Sequence, residues 1–118
     1  MKVRDIARIV SAKVLVGEDK LDKEVLAACG ADLMSDVMAF VKERVLLLTG
    51  LVNPQVIRTA ELLDIKAICF VRGKHPSLDM LDMATHAGIV LAGTKRPMYI
   101  ACGTLYEAGL RNGGTRPI

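Results

Sequence analysis

Four short stretches of this 118-residue chain repeat one arrangement of residue types: an apolar run, a glycine near its end, a polar or charged group, then a helical pattern. They are LAACGAD, LLLTGLVN, CFVRGKHPS and VLAGTKRP, and together they carry Gly30, Asp32, Thr49, Gly50, Asn53, Arg72, Gly73, Lys74, Thr94, Lys95 and Arg96. The chemistry open to such a set is recognition of an anion. Glycine lets a ligand approach the backbone, N–H groups that open a helix are free to donate, and guanidinium or ammonium groups suit phosphate or carboxylate. The expected ligand-binding residues are Thr49, Gly50, Asn53, Arg72, Gly73, Thr94, Lys95 and Arg96. Glycines and small polar residues also serve any turn between strand and helix, so a purely structural role competes at each position.

Group-transfer chemistry leaves no comparable signature. GxxxxGK[ST] does not occur, and no GxGxxG follows an apolar run. His75 and His86 lack cysteines or carboxylates at ligand spacing, so no metal is expected. Asp79 and Asp82 lie three apart on an early helical turn, where negative charge favours the helix dipole. Cys29, Cys69 and Cys102 are odd in number and show no CxxC spacing, which points to reduced, small apolar side chains rather than a disulfide framework. Neither an enzyme nor a cofactor is expected.

The elements that must position the anion-binding residues follow from periodicity. The segment from Val45 to Gly73 holds two short apolar runs around one helical pattern and reads as a βαβ unit with strands buried on both faces. Leu47 and Ile68 should then be almost fully buried. Asn53 is the expected N-cap, with Pro54 at the first helical position, and Val56, Ile57, Ala60 and Leu63 form one apolar face. Before this unit, the pattern predicts a helix over Val3 to Val10, an edge strand over Lys13 to Val16, and a strand over Val25 to Cys29. Asp32 is the expected N-cap of a helix from Leu33 to Val41, whose Met34, Val37, Met38 and Val41 share a face. After it, Ser77 should cap a helix from Leu78 to Ala87, with Leu78, Leu81 and Ala84 on one side and Gly88 as its stop. A strand over Ile89 to Ala92 and a helix from near Pro97 to about Gly109 complete the pattern.

Strands alternating with helices at this spacing predict an α/β fold: three layers, α/β/α, around a mostly parallel sheet of four to five strands. One domain over residues 1–110 is expected, with 111–118 as a frayed tail. In such a sheet ligands bind outside the carboxyl ends of the strands, at a switch point in strand order. The recurring glycine and polar residues would stand there.

Composition narrows the partners. The chain is 52% hydrophobic with 3% aromatics and no Trp, so the core is aliphatic and the stacking platforms of single-stranded nucleic-acid sites are missing. The net charge is +3, and residues 1–94 are balanced at twelve Lys/Arg against twelve Asp/Glu, so the excess lies in Lys95, Arg96, Arg111 and Arg116. A basic rim there would attract an anion. No apolar run approaches the roughly 20 residues that span a bilayer, and the opening has no long apolar stretch; no membrane association and a cytoplasmic location are expected. The mean hydropathy of +0.36 and the methionines Met34, Met38, Met80, Met83 and Met98 suggest more apolar surface than one small core hides. A homodimer is therefore expected, with the Leu33 to Val41 or Ser77 to Ala87 helix contributing.

KVRDIARIVSAKVLVGEDKLDKEV, GADLMSDVMAFVK and VLLLTG…VIRTAELLDIKAICFVRG together resemble a DRTGG domain, a family related to the N-terminal domain of HPr kinase/phosphorylase. The resemblance carries over Gly50 and Gly73. It departs where the family has Asp-Arg, here Leu51 and Val52, and where it has Thr-Gly-Gly, here Val71, Arg72 and Gly73. It implies an HPr-kinase-N-terminal-domain-like α/β module, commonly a homodimer, found alone or attached to CBS domains and phosphotransacetylases. Its implied role is regulatory or ligand-sensing, through a small anionic metabolite or nucleotide or a partner enzyme, and not kinase activity. The alternative is a dimeric scaffold with no small-molecule ligand.

Overall fold

A computed structural model describes residues 1–41 and 44–113. The chain runs α1 (Val3–Ile9), β1 (Lys13–Val16), a single 3-10 turn (Glu18–Lys20), β2 (Ala27–Gly30), α2 (Met34–Phe40), β3 (Val45–Thr49), α3 (Pro54–Leu62), β4 (Ala67–Phe70), α4 (Leu78–Ala87), β5 (Val90–Gly93) and α5 (Met98–Glu107). The tail expected over 111–118 lies outside the described residues from 114 onward.

Five strands form one sheet in the order β1-β5-β4-β3-β2. β2 to β5 are parallel and β1 runs antiparallel on the β5 edge. Every residue of β3 and of β4 is buried, as continuous apolar runs between two helical layers require. Leu47 pairs in register with Ile68, and both are almost fully buried. Side chains alternate along each strand. Leu47, Ile68, Phe70 and Leu91 pack with α2, α3 and α4, while Leu46, Leu48, Cys69 and Val90 pack with α1 and α5 on the opposite face.

Local signals account for the helix ends nearest the centre. Asn53 Oδ1 accepts the Gln55 N–H at 2.9 Å with Pro54 at the first position of α3. Ser77 Oγ accepts the Met80 N–H at 3.3 Å, and Gly88 ends α4 in the left-handed region at φ 71°. Three expectations are corrected. Asp32 does not cap α2, which starts after Leu33 without a side-chain cap. Leu78 is 80% exposed because it lies on the far side of α4 from Met80 and Ala84, which carry the buried stripe. Met38 also faces outward, leaving Met34, Val37 and Val41 in the core. Cys69 is buried, Cys29 and Cys102 are half-buried, and all three are free thiols. Burial pushes the Cys69 thiol up to about 12, as expected of an unreactive packing residue.

Candidate functional site

The strand order does not reverse between β2 and β5, so the expected switch point is not one of order. It is one of face: α4 leaves β4 toward one side of the sheet, and α5 leaves β5 toward the other. The loops after β4 and β5 therefore part at the carboxyl edge, and two backbone bonds lace them together. Arg72 N–H donates to Arg96 O, and Gly73 N–H donates to Thr94 O, both at 2.9 Å. To reach these acceptors the backbone turns through the left-handed region at two successive residues, Arg72 (φ 59°) and Gly73 (φ 69°). Glycine enters that region freely, whereas an arginine there costs roughly 1 kcal/mol.

Arg72 uses its position to reach across the edge. Its guanidinium lies against the Cα of Gly50, where a Cβ would collide with it. Arg72 Nη2 then meets Asp32 Oδ2 at 3.4 Å. Asp32 is the hub of the edge: Oδ1 also accepts the Gly50 N–H at 2.7 Å and the Thr49 hydroxyl at 3.3 Å. The Gly50 N–H is the main cause that holds the Asp32 carboxyl below the usual carboxylate range, with Thr49 and Arg72 adding to it against partial desolvation. Thr49 is fully buried and accepts the Leu51 N–H at 3.1 Å, which fixes its hydroxyl.

The expected residues thus divide. Thr49, Gly50 and Arg72 gather around Asp32 at the ends of β3 and β4, while Gly73 bonds to Thr94 on the next loop. Asn53 stands beyond them with its oxygen engaged by α3. Thr94 and Arg96 point the other way, into the end of α1. Thr94 is buried, donates to Val10 O at 2.8 Å and accepts the Arg96 N–H at 3.2 Å. The Arg96 guanidinium donates to Ile9 O and Ser11 Oγ, each at 3.1 Å. A cation on the last carbonyls of a helix also suits the negative end of its dipole. Lys74 and Lys95 are exposed and make no ion pair among the described residues. Asp32 was placed at this edge by the LAACGAD pattern, but its hydrogen-bonding role was not visible there.

Concave surfaces lie elsewhere. One of about 490 Å³ runs over the outer face of α5, lined by Tyr99, Ile100, Gly103 and Tyr106 among others. Another, of about 350 Å³, lies between the 3-10 turn and the end of α4. A third, of about 240 Å³, opens at the amino-terminal edge near Lys23, Arg44 and Lys66. None of these three includes Asp32, Thr49, Gly50 or Arg72, and the Asp32 and Arg72 side chains are each about half exposed. No helix among the described residues is long and apolar enough to cross a membrane, and no cluster of His, Cys, Asp and Glu among them could hold a metal ion.

These features define a small α/β domain with a mostly parallel five-stranded sheet and a polar carboxyl edge. Its fold is similar to that of the CBS and DRTGG domains from the regulatory region of a Clostridium perfringens pyrophosphatase, solved in complex with the activator diadenosine tetraphosphate. The match has a TM-score of 0.70 at 16% identity and covers 88% of this chain and 45% of that one. No protein-family model matches the chain, and no curated protein matches its sequence.

Proposed function

We propose that this chain is a non-catalytic regulatory or ligand-sensing module, a DRTGG-like domain over residues 1–110 that works in the cytoplasm and binds a small anionic metabolite or nucleotide at the carboxyl edge. Thr49, Gly50, Asn53, Arg72, Gly73 and Lys95 face the ligand in this reading, and Thr94 and Arg96 hold the loop that carries Lys95. The observation that carries it is Arg72: an arginine occupies a backbone position that favours glycine, and its guanidinium is delivered to a half-exposed surface instead of a packed core. Lys74 and Lys95 add positive charge beside it. The pyrophosphatase regulatory region, whose structure contains a dinucleotide activator, makes nucleotides the first class to test.

The test is thermal unfolding in the presence of nucleoside phosphates, diadenosine polyphosphates and small carboxylates. A ligand of the native state should raise the midpoint in proportion to the logarithm of its concentration, and Arg72→Ala should abolish the rise. No response across the panel, or a response that Arg72→Ala leaves intact, removes this reading. Turnover of ATP that depends on Arg72 would replace it with an enzyme.

A dimeric scaffold for a partner enzyme is the second reading, and the outer face of α5 favours it. Tyr99 is 85% exposed, Ile100 47% and Tyr106 58%, so one helix presents three large apolar groups around the open notch of Gly103. That stripe, rather than α2 or α4, is the surface we expect a second copy to cover. Light scattering at micromolar concentration should give the mass of two chains, and Tyr99→Glu with Tyr106→Glu should give one. A single-chain mass for the unaltered protein excludes the homodimer.

A further inference from the structure

We propose that the Asp32 carboxylate occupies the seat of an external anion, so that ligand binding at the carboxyl edge is an exchange in which the ligand displaces Asp32 from Gly50, Thr49 and Arg72. This deepens the ligand-sensing reading and rests on it for its biological role. Three donors of different kinds converge on this one side chain: a backbone N–H at 2.7 Å, a buried hydroxyl at 3.3 Å and a guanidinium at 3.4 Å. That set, aimed at two oxygens, is the donor set of a phosphate or carboxylate site.

The bonds that hold Asp32 are unequal. The Arg72 contact is long and joins two side chains that are each about half exposed, at 49% and 50%. An ion pair of that kind is weak and readily exchanged. The Gly50 bond is short, but an incoming oxygen can accept the same N–H, so an exchange leaves no donor unpaired. A phosphate brings more charge than a carboxylate, and the exposed ammonium groups of Lys74 and Lys95, without an ion pair among the described residues, lie on the neighbouring loops.

The exchange has a mechanical outcome. Asp32 is the side chain that ties the turn between β2 and α2 to the ends of β3 and β4. Ala31 is still bound by its N–H to Leu48 O at 3.0 Å, so release begins after that residue. Asp32 and Leu33, which is 60% exposed, would then be free to move, while Met34 and Val37 keep α2 packed on the sheet.

Inorganic phosphate is the probe, titrated into 15N-labelled protein with chloride at equal ionic strength as the reference. Asp32→Ala should bind phosphate about tenfold more tightly than the unaltered chain, as expected for loss of a competing charge. Its Gly50 amide resonance should move, and Arg72→Ala added to Asp32→Ala should cancel the gain. Asp32→Asn keeps an acceptor for Gly50 without the charge and should fall between. Equal phosphate affinity in Asp32→Ala, Asp32→Asn and the unaltered chain overturns the proposal, as does a gain that survives loss of Arg72. If phosphate binds Asp32→Ala in this way while no metabolite or nucleotide shifts the unaltered chain, the exchange stands and the sensing role falls. If a nucleotide binds the unaltered chain without moving the Gly50 amide, the sensing role stands and the exchange falls.

Discussion

Leu47→Ala is expected to lower the unfolding free energy by about 2–5 kcal/mol. Leu47 lies in the centre of β3, flanked in register by Cys29 on β2 and Ile68 on β4, and none of its surface is accessible. It packs in the apolar cluster that includes Val56, Ala60 and Phe70, all fully buried. Truncation removes the transfer energy of the lost atoms and leaves a cavity that strands paired on both sides cannot close. Small domains hold only about 5–15 kcal/mol in total, so the loss is a large share. In urea the midpoint should fall with little change in slope. An unchanged midpoint would show that the site is not packed between two helical layers.

Thr94→Val should cost about 1–3 kcal/mol although it preserves shape. The Thr94 hydroxyl is buried and joins two backbone groups, donating to Val10 O and accepting from Arg96 N–H. Valine fills the same space and leaves both groups without this partner. The change separates two roles that the sequence alone could not tell apart. If Thr94 serves the fold, stability drops and the response to an anion at Arg72 persists. If a ligand uses the hydroxyl, the anion response goes and stability in its absence stays near that of the parent chain. Chemical denaturation with and without the anion distinguishes these outcomes.

What could be read from the chain was what is decided within a few residues. The β3-α3-β4 unit was legible because VLLLT and AICF are apolar throughout and Asn53-Pro54 marks a helix start in two positions. Ser77 and Gly88 bounded α4 for the same reason. The illegible parts depend on distant partners. Asp32 stands where a local rule places an N-cap, yet its strongest bond goes to Gly50, eighteen residues on. Thr94 and Arg96 fit an anion edge by type, and their acceptors at the end of α1 lie 84 and 87 residues away. Leu78 falls at helical spacing with Leu81, but α4 turns Met80 and Ala84 to the sheet instead, and periodicity alone does not choose between the two faces. In α5, apolar residues occur on several sides, so Ala101 and Leu105 could not be chosen over Tyr99 and Ile100 as the buried stripe.

The unequal winding of the sheet implies an order of assembly. α2, α3 and α4 each link neighbouring parallel strands on one face, so that half of the molecule is built from short closures of the chain. The other face waits for α1 and α5, which meet only after nearly ninety intervening residues have been brought together. Closing so long a loop carries a larger entropic cost and is rewarded only when both helices dock. The layer of α1 and α5 is therefore expected to form last during folding. Thr94 and Arg96, bonded to the end of α1, act as the fastening that completes it.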